Sequence, residues 1–305
     1  IDVLNRVLIA KCAAEKDFTH ESFVKQLNLD ATLLQRSDIK NKDGKSQRKA
    51  IAEFLEESIN QDLPTEDGYK FWQKKNTNSL WKSNIIHDGI GFYYNALVSF
   101  FQGLLSLRNN SISWACIELY YSTYYSLRAL LASNDYTIIR YNGLYLLKIL
   151  ENQYPSKKNS REYNTDHKGT INYYVDHFRD SDYLCSNEID GKIFYEWMMD
   201  LRETTNYRNI HFNEPDQFDI LEEYVIKIAK DKESIKDILD CFEADWDYFC
   251  FSEESAWIAG PYKKLKETAE KFQQKGNSLE DEQKDYITKL MDLLGLSNLK
   301  NTFVI

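Results

Sequence analysis

Arg208 and His211 are the residues whose types and spacing most directly suggest chemistry. They fall near the end of the segment GKIFYEWMMDLRETTNYRNIHFN, which starts at Gly191. Within it Phe194, Trp197, Leu201 and Thr205 recur at helical period. Continuing that stripe in steps of three residues reaches Arg208 and then His211. At about 100° per residue the two side chains lie about 60° apart, on one face. An unpaired guanidinium on an apolar face costs roughly several kcal/mol, so Arg208 needs a partner, a wet cleft or a second subunit. Arg202, Asn206 and Asn209 cluster on a neighbouring polar face and are candidate substrate-binding residues. Imidazole and guanidinium together suit metal-free cleavage of RNA. His211 can move a proton to or from the 2′-oxygen or the leaving oxygen, and Arg208 can hold the phosphate and its developing charge. The bland alternative is a histidine against terminal helix carbonyls and an arginine paired with one of many acids.

Other chemistry-bearing residues are more scattered. His167 and His177 are ten residues apart, and His87-Asp88 precedes a long apolar helix. No pair has metal-ligand spacing with a third acid, so no metal and no cofactor is expected. Glu118 and Arg128, nearly three turns apart, read as core polar partners that can also reach Arg208 or the His167 loop. Tyr120, Tyr121, Tyr124 and Tyr125 form a stripe that can stack bases, though amphipathic filling of a helix interface is the ordinary use of such a stripe. GxxxxGK followed by Ser or Thr, GxGxxG and GxSxG are all absent, which argues against P-loop, dinucleotide and α/β-hydrolase enzymes.

These residues need helices to position them, and the composition supplies helices. With 11 Gly and 4 Pro in 305 residues, the chain has few of the residues that hairpins and tight turns need. An all-α fold is expected: a small N-terminal helical domain at 1–80, a central bundle at 81–216 and C-terminal helices at 217–305 packed on it. The apolar run 90–107 carries Asn95, Ser99 and Gln102 and reads as a core helix, not a membrane span. Asn109-Asn110 ends it, and Ile112, Cys116, Leu119, Thr123, Leu127 and Leu130 mark an antiparallel partner reaching about Ser133. Residues 136–150 fit a hairpin around Asn142-Gly143 or a loop followed by a helix from Leu144; the helix formers favour the latter. Helices are also expected from about Thr170 to Phe178 and from near Lys192 to before Pro215. Ser278 and Asp281 suggest a capping box, and Gly295 a C-cap.

The net charge of −10 excludes attachment to nucleic acid by bulk charge while leaving room for a local basic site. One such stretch runs from Arg36 to Lys49, in a module that either touches nucleic acid or is a solvated loop. Five cysteines with no CxxC argue against a disulfide framework and for a reducing cytoplasm, and no signal peptide is read at the N-terminus.

The segments ACIELYYSTYYSLRALLASND (115–135) and WMMDLRETTNYRNIHF (197–212) resemble the HEPN family of helical domains (higher eukaryotes and prokaryotes nucleotide-binding). The resemblance spans about 85–230. It implies a dimeric all-α bundle and, in active members, a metal-independent endoribonuclease with a composite site where two motif helices meet. Bacterial toxin and antiphage systems use such enzymes, often with an operon partner protein. Arg208-Asn209 opens as the family motif does, but His211 follows after two intervening residues where the family has four to six. The alternative is a catalytically silent HEPN-like module that binds RNA, nucleotide or a protein.

Overall fold

A computed structural model describes residues 78–140, 143–149, 156–158, 160–205 and 232–305. About 74% of the described residues that can be interpreted are helical, so the fold is all-α in the main, with a few short strands. Of the N-terminal domain expected at 1–80, residues 1–77 lie outside the described residues, as do 206–231.

Two long helices, α1 (Asn78–Arg108) and α2 (Ile112–Ser133), form the centre. The turn between them places Asn110 in the left-handed region at φ 58°. A Cβ on Gly89 would approach Ala132, and one on Gly103 would approach Leu119, so the helices run antiparallel and in close contact. On these two helices Ala96, Leu97, Phe100, Phe101, Leu104, Cys116, Leu119 and Leu127 are almost completely buried. The stretch Ile85–Arg108 is long and apolar enough to cross a membrane; in this fold 44% of its most apolar window is buried within the protein.

The segment after α2 differs from the helix favoured by sequence. Strands β1 (Tyr136–Arg140) and β2 (Leu144–Lys148) pair antiparallel, with Ile138 opposite Leu146. A third strand, β3 (Ser156–Lys158), pairs with β2. Leu144, Tyr145, Leu146 and Leu147 are all buried, so β2 is covered on both faces. A strand covered on both faces shows no alternation, and its run of apolar residues mimics a helix.

Helix α3 (Asp166–Phe178) starts four residues before the expected Thr170, because the Thr165 side chain accepts from the Lys168 amide and caps it there. Strands β4 (Glu188–Ile189) and β5 (Lys192–Ile193) then form a minimal hairpin. Asp190 and Gly191 both have positive φ, which the two-residue turn requires. That hairpin delays the next helix, α4 (Phe194–Glu203), by two residues relative to the sequence reading.

Helices α5 (Lys232–Ala244), α6 (Trp246–Phe249), α7 (Ala256–Gln274), α8 (Asp281–Leu294) and α9 (Lys300–Phe303) complete the fold. The capping box of α8 is Glu280 with Gln283, not Ser278 with Asp281; Gly295 is its left-handed C-cap, as the spacing suggests. The chain end is pinned to the centre by the Tyr93 hydroxyl, which donates to the Phe303 carbonyl at 2.9 Å.

Helix α7 packs along α2 and carries the most buried charge among the described residues, Lys264. Its Nζ meets Asp182 Oδ1 at 2.9 Å and Glu267 Oε2 at 2.5 Å. Asp182 is further held by the Tyr195 hydroxyl at 2.5 Å and the Leu184 amide at 2.9 Å. Burial alone would raise the Asp182 pKa, but the Lys264 charge and these donors outweigh it and hold the carboxyl below its ordinary value. This network ties α7 to the loop before α4. Beside it the Phe194 ring lies against Gly260, where a Cβ would come within 2.1 Å of ring carbon.

Two stability measurements follow. Asp182→Ala leaves Lys264 with Glu267 as its remaining carboxylate and is expected to cost about 3 kcal/mol in urea unfolding. A loss below about 1 kcal/mol would show the pair to be incidental. Gly260→Ala is expected to cost about 1–3 kcal/mol through overpacking against Phe194, an effect that Phe194→Leu in the same chain should reduce.

Candidate functional site

Three helices bring aromatic, imidazole and guanidinium groups together. Helix α2 supplies Tyr120, Tyr121, Tyr124 and Tyr125, which neighbour one another by i, i+4 and adjacent positions. Helix α3 supplies His167 from its first turn, a position fixed by the Thr165 cap. Helix α4 supplies Arg202 from its last turn. The His167 ring centroid is 4.5 Å from that of Tyr124 and 5.6 Å from those of Tyr120 and Tyr121. His167 Nδ1 is 2.8 Å from the Tyr120 hydroxyl, a hydrogen bond whose direction follows the tautomer. The Arg202 guanidinium lies over the Tyr120 and Tyr121 rings, at 5.5 and 5.9 Å from their centroids. A cation this close to two ring faces gains from both quadrupoles, which offsets part of its desolvation.

The electrostatics set what each group can do. Burial, followed by the Arg202 charge, lowers the His167 pKa to about 4; Asp166 opposes this weakly and Arg128 adds to it. The imidazole is therefore neutral near pH 7. Burial likewise pushes the Tyr120 hydroxyl well above its ordinary value, against the pull of Arg202. A neutral imidazole so hard to protonate is a poor general base at neutral pH. It remains a hydrogen-bonding, flat aromatic surface beside a permanent cation.

Of the site residues named from sequence, Arg202 is at this cluster, though packed against rings and only 7% exposed. Asn206, Arg208, Asn209 and His211 lie outside the described residues. Past Glu203 the helix widens into a π turn at 204–205, where the Thr205 hydroxyl donates to the Leu201 carbonyl at 2.9 Å. Glu118, half-buried, and Arg128, buried, each hold a polar partner on a neighbouring element. Glu118 accepts from the Ser106 hydroxyl at 2.6 Å, while Arg128 donates to the Ile138 carbonyl at 3.0 Å and lies 4.6 Å from the Phe92 centroid. His177 donates from Nδ1 to the Tyr173 carbonyl at 2.8 Å and packs edge-on against Tyr136. Among the described residues no group of three or more His, Cys, Asp or Glu is placed to hold a metal.

Sequence reasoning treated His167 only as a possible ligand and did not connect it with the tyrosines. The signal was the Thr165-Asp166 start, which puts His167 in a first helical turn. An open groove of about 860 Å³ between α3 and α4 is lined by Lys168, Arg179 and Lys192 but also by Asp176, Glu196 and Asp200. Charges of both signs alternate there, so it offers no single-sign field.

No family model, curated protein or solved structure matches the chain.

The His167 environment has a direct readout. Its imidazole signals in an NMR titration are expected to move with a midpoint of about 4, well below the ordinary 6.5. Arg202→Gln removes a lowering charge and should shift that midpoint upward. Because the unfolded chain takes up this proton first, His167 contributes stability above about pH 6.5 that is lost progressively as pH falls toward about 4. A midpoint at the ordinary value in the folded protein would refute the burial described here.

Proposed function

We propose that the protein is a HEPN-like, metal-independent endoribonuclease of the kind used in bacterial toxin and antiphage systems. The observation that carries this reading is the meeting of its two resemblance-bearing segments. Helices α2 and α4, which carry the described parts of those segments, pack on each other, and Arg202 of α4 lies on Tyr120 and Tyr121 of α2.

In this reading Arg208 holds the scissile phosphate and balances its developing charge. His211 moves the proton at the 2′-oxygen or at the leaving oxygen. Asn206 and Asn209 hydrogen-bond the strand, and Arg202 adds positive potential next to the tyrosines. His167, with its pKa near 4, takes no part in proton transfer and serves as a contact surface. RNA is the substrate, a homodimer would complete a composite site, an operon partner would restrain it, and the cytoplasm is its compartment.

A second reading is favoured by one specific observation. Only two residues separate Arg208 from His211, and a catalytically silent HEPN-like module binding RNA, nucleotide or a partner protein accommodates that spacing without strain.

Purified protein incubated with a mixed RNA pool in excess EDTA separates the two. The nuclease reading expects cleavage, reduced about 100-fold or more in His211→Ala and comparably in Arg208→Ala. Intact RNA at every wild-type concentration, with RNA or protein still captured by the His211→Ala variant, would replace it with the silent module.

A further inference from the structure

The hairpin after α2 concentrates positive charge in an acidic protein. From Tyr136 to Arg161 the sequence holds Arg140, Lys148, Lys157, Lys158 and Arg161 against the single carboxylate Glu151, while the whole chain carries −10. Ser156, Lys157 and Lys158 make up β3, at the edge of the sheet. All three are exposed, as are Ser160 and Arg161 after them. Lys157 pairs opposite Tyr145 and Lys158 opposite Leu144. Successive side chains leave a strand on opposite faces, so the two ammonium groups straddle the sheet edge.

These cations are held differently from others in the protein. Lys192, Lys236, Lys266 and Lys300 each meet a carboxylate. Among the described residues, Lys157, Lys158 and Arg161 are in no ion pair. Lys157 lies 5.9 Å from the Tyr145 centroid and Lys158 5.7 Å from that of Tyr163. The Lys157 stem also runs over Gly143, where a Cβ would come within 2.7 Å of its Cε. A carboxylate cancels the charge of an ammonium. A ring face supports the ammonium and leaves its charge in place, with the stem packed and the head in water.

The surroundings set the class of partner. The exposed neighbours Ser156, Ser160, Asn164 and Thr165 bring hydroxyl and amide groups. Of the nearby carboxylates, Asp176 accepts from the Tyr163 hydroxyl at 2.6 Å, and Glu162 is exposed beside Arg161. The exposed large apolar side chains among the described residues, Ile86, Trp114, Tyr248 and Leu293, are all on other elements. A protein interface is centred on an apolar or aromatic anchor, and a membrane-surface site inserts apolar residues. Lysine and arginine among small hydroxyl and amide donors form the set that grips a phosphate backbone.

We propose that β3 and the turn after it, through Lys157, Lys158 and Arg161, bind the phosphate backbone of RNA. The proposal rests on RNA being the ligand of the nuclease reading and adds where the strand is gripped. Phosphates carry no base information, so the contact is indifferent to sequence. Its strength comes from counterion release and falls steeply with salt.

The test is the salt dependence of binding, read by fluorescence anisotropy of the full chain with labelled 2′-O-methyl oligonucleotides in EDTA. Lys157→Gln, Lys158→Gln and Arg161→Gln together should flatten the slope of log affinity against log salt by about 2, since each phosphate contact on a single strand contributes about 0.7. Affinity at about 50 mM salt should fall about tenfold or more. Oligouridine and oligoadenosine should lose it equally. Lys157→Arg with Lys158→Arg keeps the charges and should keep the slope. Lys236→Gln, Lys289→Gln and Lys300→Gln change the net charge equally at other places and should leave the slope within about 0.5 of wild type. Should the first triple variant melt early, Arg161→Gln alone should lower the slope by about 0.7.

An unchanged slope in the Lys157, Lys158 and Arg161 variant, an equal loss in the other triple variant, or no binding of either oligonucleotide overturns the surface. A decaglutamate peptide bound through the same three cations, where RNA is not, reassigns it to an acidic protein. The two proposals fail separately. RNA cut by wild type and by the triple variant with the same salt dependence removes the surface and leaves the nuclease. Cation-dependent binding by a protein that cuts nothing does the reverse.

Discussion

Nearly everything in this fold is arranged around the burial of one helix. Helix α2 packs on α1 along its length, on α7 on another side, and on β1, α3 and α4 elsewhere, and only Trp114, Glu118, Tyr121 and Tyr125 are not buried. A helix so packed has little freedom in what its residues can be. Ala115, Cys116, Ser122, Ser126 and Ala129 keep it slim enough for neighbours to approach. Leu119, Leu127 and Leu131 fill the spaces between them. Its neighbours must then satisfy whatever polar groups come inside, and the Arg128 bond to the Ile138 carbonyl does this for β1.

The buried charges are handled in two different ways. Lys264 is neutralised directly, by Asp182 and Glu267 and by the hydroxyl that orients Asp182. Arg202 lies on ring faces beside an imidazole kept neutral. The first arrangement is closed: its donors and acceptors face one another and present nothing to a ligand. The second leaves the Tyr121 side of the cluster half-buried and adjacent to solvent. That contrast is why the Lys264 network is read as structure and the Arg202 cluster as a site.

Much of this was legible in the chain itself. The α1–α2 pair could be read because its apolar residues follow the helical period without interruption, and Asn109-Asn110 marks the turn. The β1–β2 hairpin was misjudged, because a strand buried on both faces loses the alternation that identifies strands. Helix α7 gave no clear sign, with Gly260 and Pro261 standing in its first turns where breakers suggest a loop. Gly260 is there for Phe194, a residue 66 positions earlier, and no local pattern can announce such a contact. The Tyr120–His167 bond is equally nonlocal. Its two ends could be noted separately, but their meeting depends on where the hairpin delivers α3.

The separation of Lys264 from Asp182 along the chain, 82 residues, has a consequence for how the molecule assembles. The α1–α2 hairpin needs only a short connection to close, so its contacts are local and form with little loss of chain entropy. The ion pair needs α3, α4 and α7 already in place before its two charges can meet and shed water together. An interaction completed that late lies mostly on the native side of the folding barrier. Its strength is therefore expected to set how slowly the protein comes apart far more than how quickly it forms.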